Sequence, residues 1–128
     1  YPQEATLDTG KPILLIVEDN EEIQKYISES FADSFEVLTA YNGEEGKQQA
    51  LNRIPDIVVS DIMMPVMDGI EALKEIRLHT DSLPVIMQTA YAFDTDRRVA
   101  EEAGCNGFIT KPVMPRELKM YLDKYLTK

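Results

Sequence analysis

Three apolar runs in this sequence end in side chains that can do chemistry. Ile57-Val58-Val59-Ser60 runs into Asp61, Ile13-Leu14-Leu15-Ile16-Val17 into Glu18 and Asp19, and Gly107-Phe108-Ile109-Thr110 into Lys111 and Pro112. A further run, Pro84-Val85-Ile86-Met87-Gln88, delivers Thr89 and Ala90. A buried strand is a rigid mount, and the residue that ends it faces the crevice beyond the sheet. If the four runs lie parallel in one sheet, the acids, a hydroxyl and an ammonium converge on one rim. Glu18, Asp19 and Asp61 would repel one another there, so a divalent cation or a shifted pKa must accompany them. Hard carboxylate oxygens with no neighbouring His or Cys favour Mg2+, which keeps several waters and commonly shares its shell with a phosphate. Lys111 supplies a positive charge and Thr89 a hydroxyl donor for phosphate oxygens. Asp61, central between the Glu18-Asp19 pair and Lys111, is the candidate nucleophile, and Asp19 is left to hold the metal.

Taken singly, each group has a plainer reading. An acid after a strand is usually a helix cap, and a Lys before Pro usually carries no chemistry. The weight lies in finding all of them at successive strand ends.

The elements that must position these groups follow from periodicity. Short apolar runs alternate with helical patterns through the chain, which is the signature of a parallel sheet covered on both faces. The first helix is expected to start at Asn20 as N-cap, with Glu21 and Glu22 in its first turn and Ile23, Tyr26, Ile27 and Phe31 on the inner face. A strand over 35–40 and a helix over 43–52 follow, and Pro55 precedes the Asp61 strand. A third helix after Asp68-Gly69 turns Ile70, Leu73 and Ile76 inward. A fourth runs over 95–103 with Val99, Ala100 and Ala103 inward, stopped by Gly104 in the left-handed conformation. The last starts near Pro115 and carries Leu118, Tyr121, Leu122 and Tyr125 at helical spacing.

At 128 residues the chain is one domain, and no apolar stretch reaches the roughly 20 residues that cross a bilayer. With 23 acidic and 13 basic side chains the net charge is −10, which argues against direct nucleic-acid binding and, with the absence of a span, against membrane contact by this domain. Cys105 has no CxxC partner or zinc-type spacing and reads as a packed residue in a reducing compartment. His79 beside Thr80-Asp81 reads as surface loop rather than as a phosphoryl donor. Residues 1–10 show neither period nor signal-peptide core and read as a linker, so the domain is expected over 11–128.

From Lys11 to Lys128 the chain resembles the two-component receiver domain, the phosphoacceptor module of response regulators. The carrying segments are Val17-Glu18-Asp19-Asn20, Asp61-Ile62-Met63-Met64-Pro65-Val66-Met67-Asp68-Gly69, Gln88-Thr89-Ala90 and Phe108-Ile109-Thr110-Lys111-Pro112. The Asp-x-x-Met-Pro-x-Met-Asp-Gly string is highly specific. The resemblance implies an α/β, flavodoxin-like (βα)5 three-layer sandwich with strand order 2-1-3-4-5. It implies that Asp61 takes the phosphoryl group from a phosphohistidine, that Asp19 and the backbone carbonyl of Met63 bind Mg2+, and that Glu18 acts mainly through water. Lys111 would pair with the phosphate, the bond before Pro112 is commonly cis in the family, and the domain would catalyse its own phosphorylation and dephosphorylation.

A switch is implied as well: the phosphate draws in the Thr89 hydroxyl, with Ala90 beside it, and Phe108 turns into the vacated space, changing the surface of the fourth helix and last strand. Phe108 stands where tyrosine is frequent, so only the packing part of that change applies. Met63 and Tyr91 flank the entrance and are expected to influence acyl-phosphate hydrolysis. The donor would be a histidine kinase or a histidine phosphotransfer domain, and a homodimer through the fourth helix, last strand and last helix is one assembly the family allows. Gln88-Thr89-Ala90-Tyr91-Ala92 and Ala103-Gly104-Cys105-Asn106 are similar to receivers of hybrid histidine kinases. The parent would then be a membrane-anchored sensor with this module in the cytoplasm, a single-domain regulator being the other option.

Competing chemistries fare worse. A dehalogenase-type phosphatase needs a second acid two residues after the nucleophile, where this chain has Met63. A flavin-binding flavodoxin relative would have to seat a phosphate against Glu18-Asp19-Asn20-Glu21-Glu22. A receiver-shaped interaction module that is never phosphorylated is the alternative left standing.

Overall fold

The computed structural model describes residues 10–62, 67–89, 94–110 and 115–126, without the side chains at 94–96, 115, 118, 122 and 126. Strands and helices alternate along it: β1 Ile13–Val17, α1 Glu21–Phe31, β2 Glu36–Ala40, α2 Gly43–Arg53, β3 Ile57–Asp61, α3 Gly69–Arg77, β4 Val85–Thr89, α4 Asp94–Ala103, β5 Gly107–Thr110 and α5 Pro115–Leu126. The strands form one parallel sheet in the order β2-β1-β3-β4-β5, the expected flavodoxin-like arrangement.

Alternation of side chains along each strand divides the core in two. Leu15, Val17, Val58, Val85 and Met87 share one cluster with Ala50 of α2, Leu73 and Ile76 of α3 and Ala100 of α4. Leu14, Ile16, Ile57, Val59, Ile86 and Ile109 share the other with Ile27 and Phe31 of α1, against which Tyr121 and Tyr125 of α5 pack. Every residue of β3 and β4 is buried, which explains why those runs read as continuously apolar.

The helix starts follow local chemistry. Asn20 accepts a hydrogen bond from the Ile23 amide at 3.0 Å, as its N-cap role requires. Asn42 does the same for the Glu45 amide at 2.8 Å. Asp68 and Glu71 form a reciprocal capping box on α3. Gly104 ends α4 at φ +103°, the left-handed stop expected there.

Two inward positions differ from expectation. Tyr26 is 50% exposed, and Gln24 takes the buried place on α1 instead. Gln24 lies three and seven residues before Ile27 and Phe31, so it falls on the helical stripe that Tyr26 misses. Val99 is 46% exposed while Ala100 is fully buried, leaving α4 a narrow inner face of small residues.

Candidate functional site

Parallel pairing carries the strand ends to one rim. Val17 stands opposite Ser60, Asp61 opposite Gln88, and Thr89 opposite Thr110. Glu18 and Asp19 therefore follow β1 beside the end of β3, and one carboxylate oxygen from each of Glu18, Asp19 and Asp61 lies within 4.8 Å of the others. Asp61 is 5% and Thr89 2% exposed, whereas Asp19 is open to solvent. The sheet thus offers one exposed and two buried acids to one small volume.

Glu18 is fully buried, and its carboxylate is held at both oxygens. The Asn20 amide donates to Oε2 at 3.1 Å, and the Gln88 side-chain amide donates to Oε1 at 3.2 Å. Its backbone is fixed too, since the Glu18 amide donates to the Ala40 carbonyl at 3.0 Å. Beneath it, Gln24 Nε2 donates to the carbonyls of Ile16 and Ala40 at 3.1 and 3.0 Å and lies 3.4 Å from that of Glu18. On the other side, the Ile62 amide donates to the Gln88 carbonyl at 3.0 Å and the Gly69 amide to the Ile62 carbonyl at 2.7 Å, so the chain leaving Asp61 is anchored to β4 and α3.

These residues fit a hard divalent cation. Octahedral Mg2+ with oxygens at about 2.1 Å sets its ligand oxygens roughly 3 to 4 Å apart, a separation the 4.8 Å cluster spans with waters filling the remaining positions. The donor set is all oxygen, as Mg2+ requires.

Phe108 is 6% exposed, in the same core cluster as Val85, Met87 and Ala100, with the Arg97 guanidinium 4.9 Å from its ring centre. A ring with no hydroxyl has no polar group to hold it at the surface, so an inward turn has little left to bury. His79 is exposed, as expected. Of the other expected site residues, Met63, Ala90, Lys111 and Pro112 lie outside the described residues, as does Tyr91. The sequence reading missed Gln24 and Gln88: an amide within an apolar stripe or run was the only signal either offered.

A family model for the response regulator receiver domain matches residues 14–123. The chain belongs to that family. Curated relatives include the hybrid signal transduction histidine kinase D of Dictyostelium discoideum, 36% identical over 111 residues, which is 85% of this chain and 7% of that protein. They also include the alkaline phosphatase synthesis transcriptional regulatory protein PhoP of Bacillus subtilis, 36% identical over 116 residues, covering 90% of this chain and 48% of that one. This receiver thus spans less than half the length of either relative. Among solved structures it is similar to the receiver domain of sensor histidine kinase PA1611 from Pseudomonas aeruginosa, with a TM-score of 0.85 and 29% identity over 92% of this chain and 99% of that one. That structure carries a magnesium ion coordinated in its active-site cleft. Among the described residues of this receiver no helix is long and apolar enough to cross a membrane.

Proposed function

We propose that this receiver is the phosphoacceptor of a two-component phosphorelay, with Asp61 as the residue phosphorylated. One observation carries the reading: Glu18, Asp19 and Asp61 come from two neighbouring strand ends yet share a 4.8 Å cluster at the rim where a receiver takes its phosphoryl group. An Asp61 carboxylate oxygen attacks phosphorus in line as the phosphorus–nitrogen bond of a phosphohistidine breaks, and the imidazole leaves with its electron pair and takes up a proton. Asp19, Asp61 and the Met63 carbonyl would hold Mg2+, with Glu18 acting through water. Bound there, Mg2+ would supply neutralisation of the charge that builds on the transferring phosphoryl oxygens. Thr89, Ala90 and Lys111 would receive those oxygens.

The donor is a histidine kinase or a histidine phosphotransfer domain, and the surface of α4 and β5 carries the signal onward. We assign residues 11–128 to the domain and 1–10 to a linker, and place the module in the cytoplasm as part of a hybrid kinase. Net charge −10 favours a protein partner over a nucleic acid. If the module dimerises, α4, β5 and α5 are the elements proposed to meet.

Incubating the Mg2+-loaded protein with acetyl phosphate and measuring intact mass tests the reading. One added phosphoryl group, lost in Asp61→Asn, is expected. No mass gain would show an interaction module that is never phosphorylated, and label persisting on Asp61→Asn would overturn the choice of nucleophile.

A further inference from the structure

Among the described residues two glutamines are buried, Gln24 and Gln88, and they are bonded differently. Gln24 is satisfied at both ends of its amide: Nε2 donates to backbone carbonyls of β1 and β2, and Oε1 accepts from Ser28 Oγ at 3.3 Å. Such a side chain is structural, tying a helix to two strand ends. Gln88 is fully buried as well, yet its Nε2 donates to Glu18 Oε1 at 3.2 Å while its Oε1 has no hydrogen-bond partner among the described residues.

A buried amide oxygen without a donor is a cost that native structures usually avoid. Turning the amide over would not relieve it, because Oε1 would then face the Glu18 carboxylate, acceptor against acceptor. The accepting oxygen of Glu18 therefore sets the orientation, and the contact with Glu18 is what the buried amide achieves. Position supports this: Gln88 sits opposite Asp61 in the β3–β4 register, and its side chain reaches past β3 to the acid that follows β1.

We propose that Gln88 is a positioning residue for the cation site. With the Asn20 amide on Oε2, Gln88 on Oε1 fixes the plane of the Glu18 carboxylate, so that its remaining lone pairs face the volume shared with Asp19 and Asp61. This inference rests on the metal site proposed above. Hydrogen bonds from outside a coordination sphere commonly set metal affinity by 10- to 100-fold, and a water-mediated acid belongs near the lower end of that range.

The test is Mg2+ titration by isothermal calorimetry of the wild-type chain, Gln88→Met, Glu18→Ala and the double variant. Gln88→Met should weaken Mg2+ binding about tenfold and lower the melting temperature in EDTA, since the buried Glu18 carboxylate loses a donor. In the Glu18→Ala background the same substitution should change Mg2+ affinity little, because the carboxylate through which Gln88 acts is gone. A lowered melting temperature with unchanged Mg2+ affinity would make Gln88 merely structural. An equal loss of affinity in both backgrounds would show that it does not act through Glu18. If Gln88→Met does not fold, NMR of the wild-type chain decides: Mg2+ should move the Gln88 side-chain amide signal and leave that of Gln24 in place, and a stationary Gln88 signal overturns the proposal. A wild-type chain that binds no Mg2+ sinks the metal site as well, whereas equal binding by wild type and Gln88→Met sinks only the role of Gln88.

Discussion

Arg77 grips the carbonyl of Gly104 with two nitrogens, Nε at 3.0 Å and Nη2 at 2.8 Å. The same guanidinium donates from Nη1 to the Leu83 carbonyl at 2.9 Å and from Nη2 to Asn106 Oδ1 at 2.9 Å, and Asn106 Oδ1 also accepts from the Val85 amide. The last turn of α3 is thereby tied to the segments entering β4 and β5, at the rim opposite the acids. Burial lowers the guanidinium pKa, and the charge of Asp81 works against that, but the group remains a cation.

Arg77→Met should cost about 2 to 4 kcal/mol in urea unfolding, because part-buried carbonyls lose a charged donor. Arg77→Lys should recover little of it, since an ammonium cannot bridge three acceptors in one plane. Phosphoryl uptake per folded molecule should be unchanged. A loss of uptake at full folding would mean that the two rims are coupled.

Gly69 lies where the start of α3 meets the backbone of Asp61. A Cβ there would collide with the Asp61 carbonyl oxygen and fall 2.8 Å from Met87 Cε, so one of them must move. Gly69→Ala should lower stability by roughly 1 to 3 kcal/mol, as overpacking does. It should also slow phosphoryl uptake, because the displaced backbone carries Asp61, the proposed nucleophile. Wild-type uptake in the variant, read by intact mass, would show that α3 yields instead.

Ile54 closes α2 in the left-handed conformation at φ 48° and is 75% exposed. A β-branched residue bears strain there that glycine does not, and so much exposure means little burial is lost on its removal. Ile54→Gly should raise stability by about 1 kcal/mol, seen as a higher urea midpoint with an unchanged slope. A lower midpoint would mean that contacts of Ile54 outweigh its strain.

The Cys105 thiol is pushed above its ordinary range, first by burial and then by the charge of Glu101, with the Gly107 amide and Arg77 pulling back. The folded state therefore favours the neutral thiol. Its contribution is present below the unfolded thiol pKa and is lost as pH rises through the ordinary thiol range toward the raised folded value, because only the unfolded chain gains charge there. Modification by a disulfide reagent near neutral pH should be slower than for a free thiol. Cys105→Ala should lose less stability than the wild-type chain between pH 8 and pH 10. Rapid labelling at neutral pH would contradict the direction of the shift.

The placement of the acids was legible in the sequence because the apolar run Ile13–Val17 leads directly to Glu18 and the run Ile57–Val59 leads across the small Ser60 to Asp61, and a buried strand presents its last acid at its end. Asn20 was legible as a cap because its signal is local. Gln24 and Tyr26 were not: an amide on the inner stripe of α1 is stabilised by carbonyls of Ile16 and Ala40, partners supplied by other strands and invisible along the helix itself. Gln88 is the same case in a strand, its partner Glu18 being 70 positions away. Val99 was misplaced because Ala100 and Ala103 alone define so narrow a stripe that periodicity leaves the neighbouring apolar residue ambiguous.

Crowding of like charge gives the acidic cluster a thermodynamic signature. Glu18, Asp19 and Asp61 hold their oxygens within 4.8 Å, and Asp19 is the exposed member, so its charge can be removed with little change in packing. In EDTA, Asp19→Asn should raise the urea midpoint, since a repulsion is relieved and only solvated surface is altered. High salt should shrink that difference, because it screens the exposed partner. Mg2+ should reverse the order: at a concentration 100-fold above its Kd the ion adds about 2.7 kcal/mol to the wild-type chain, and much less to a variant that has lost a ligand. Unfolding of both proteins with and without Mg2+ measures all of these terms in one experiment. If the variant is less stable in EDTA, the cluster is held together by attractions that outweigh its own repulsion, and Asp19 belongs to a bonding network rather than to a cation's shell.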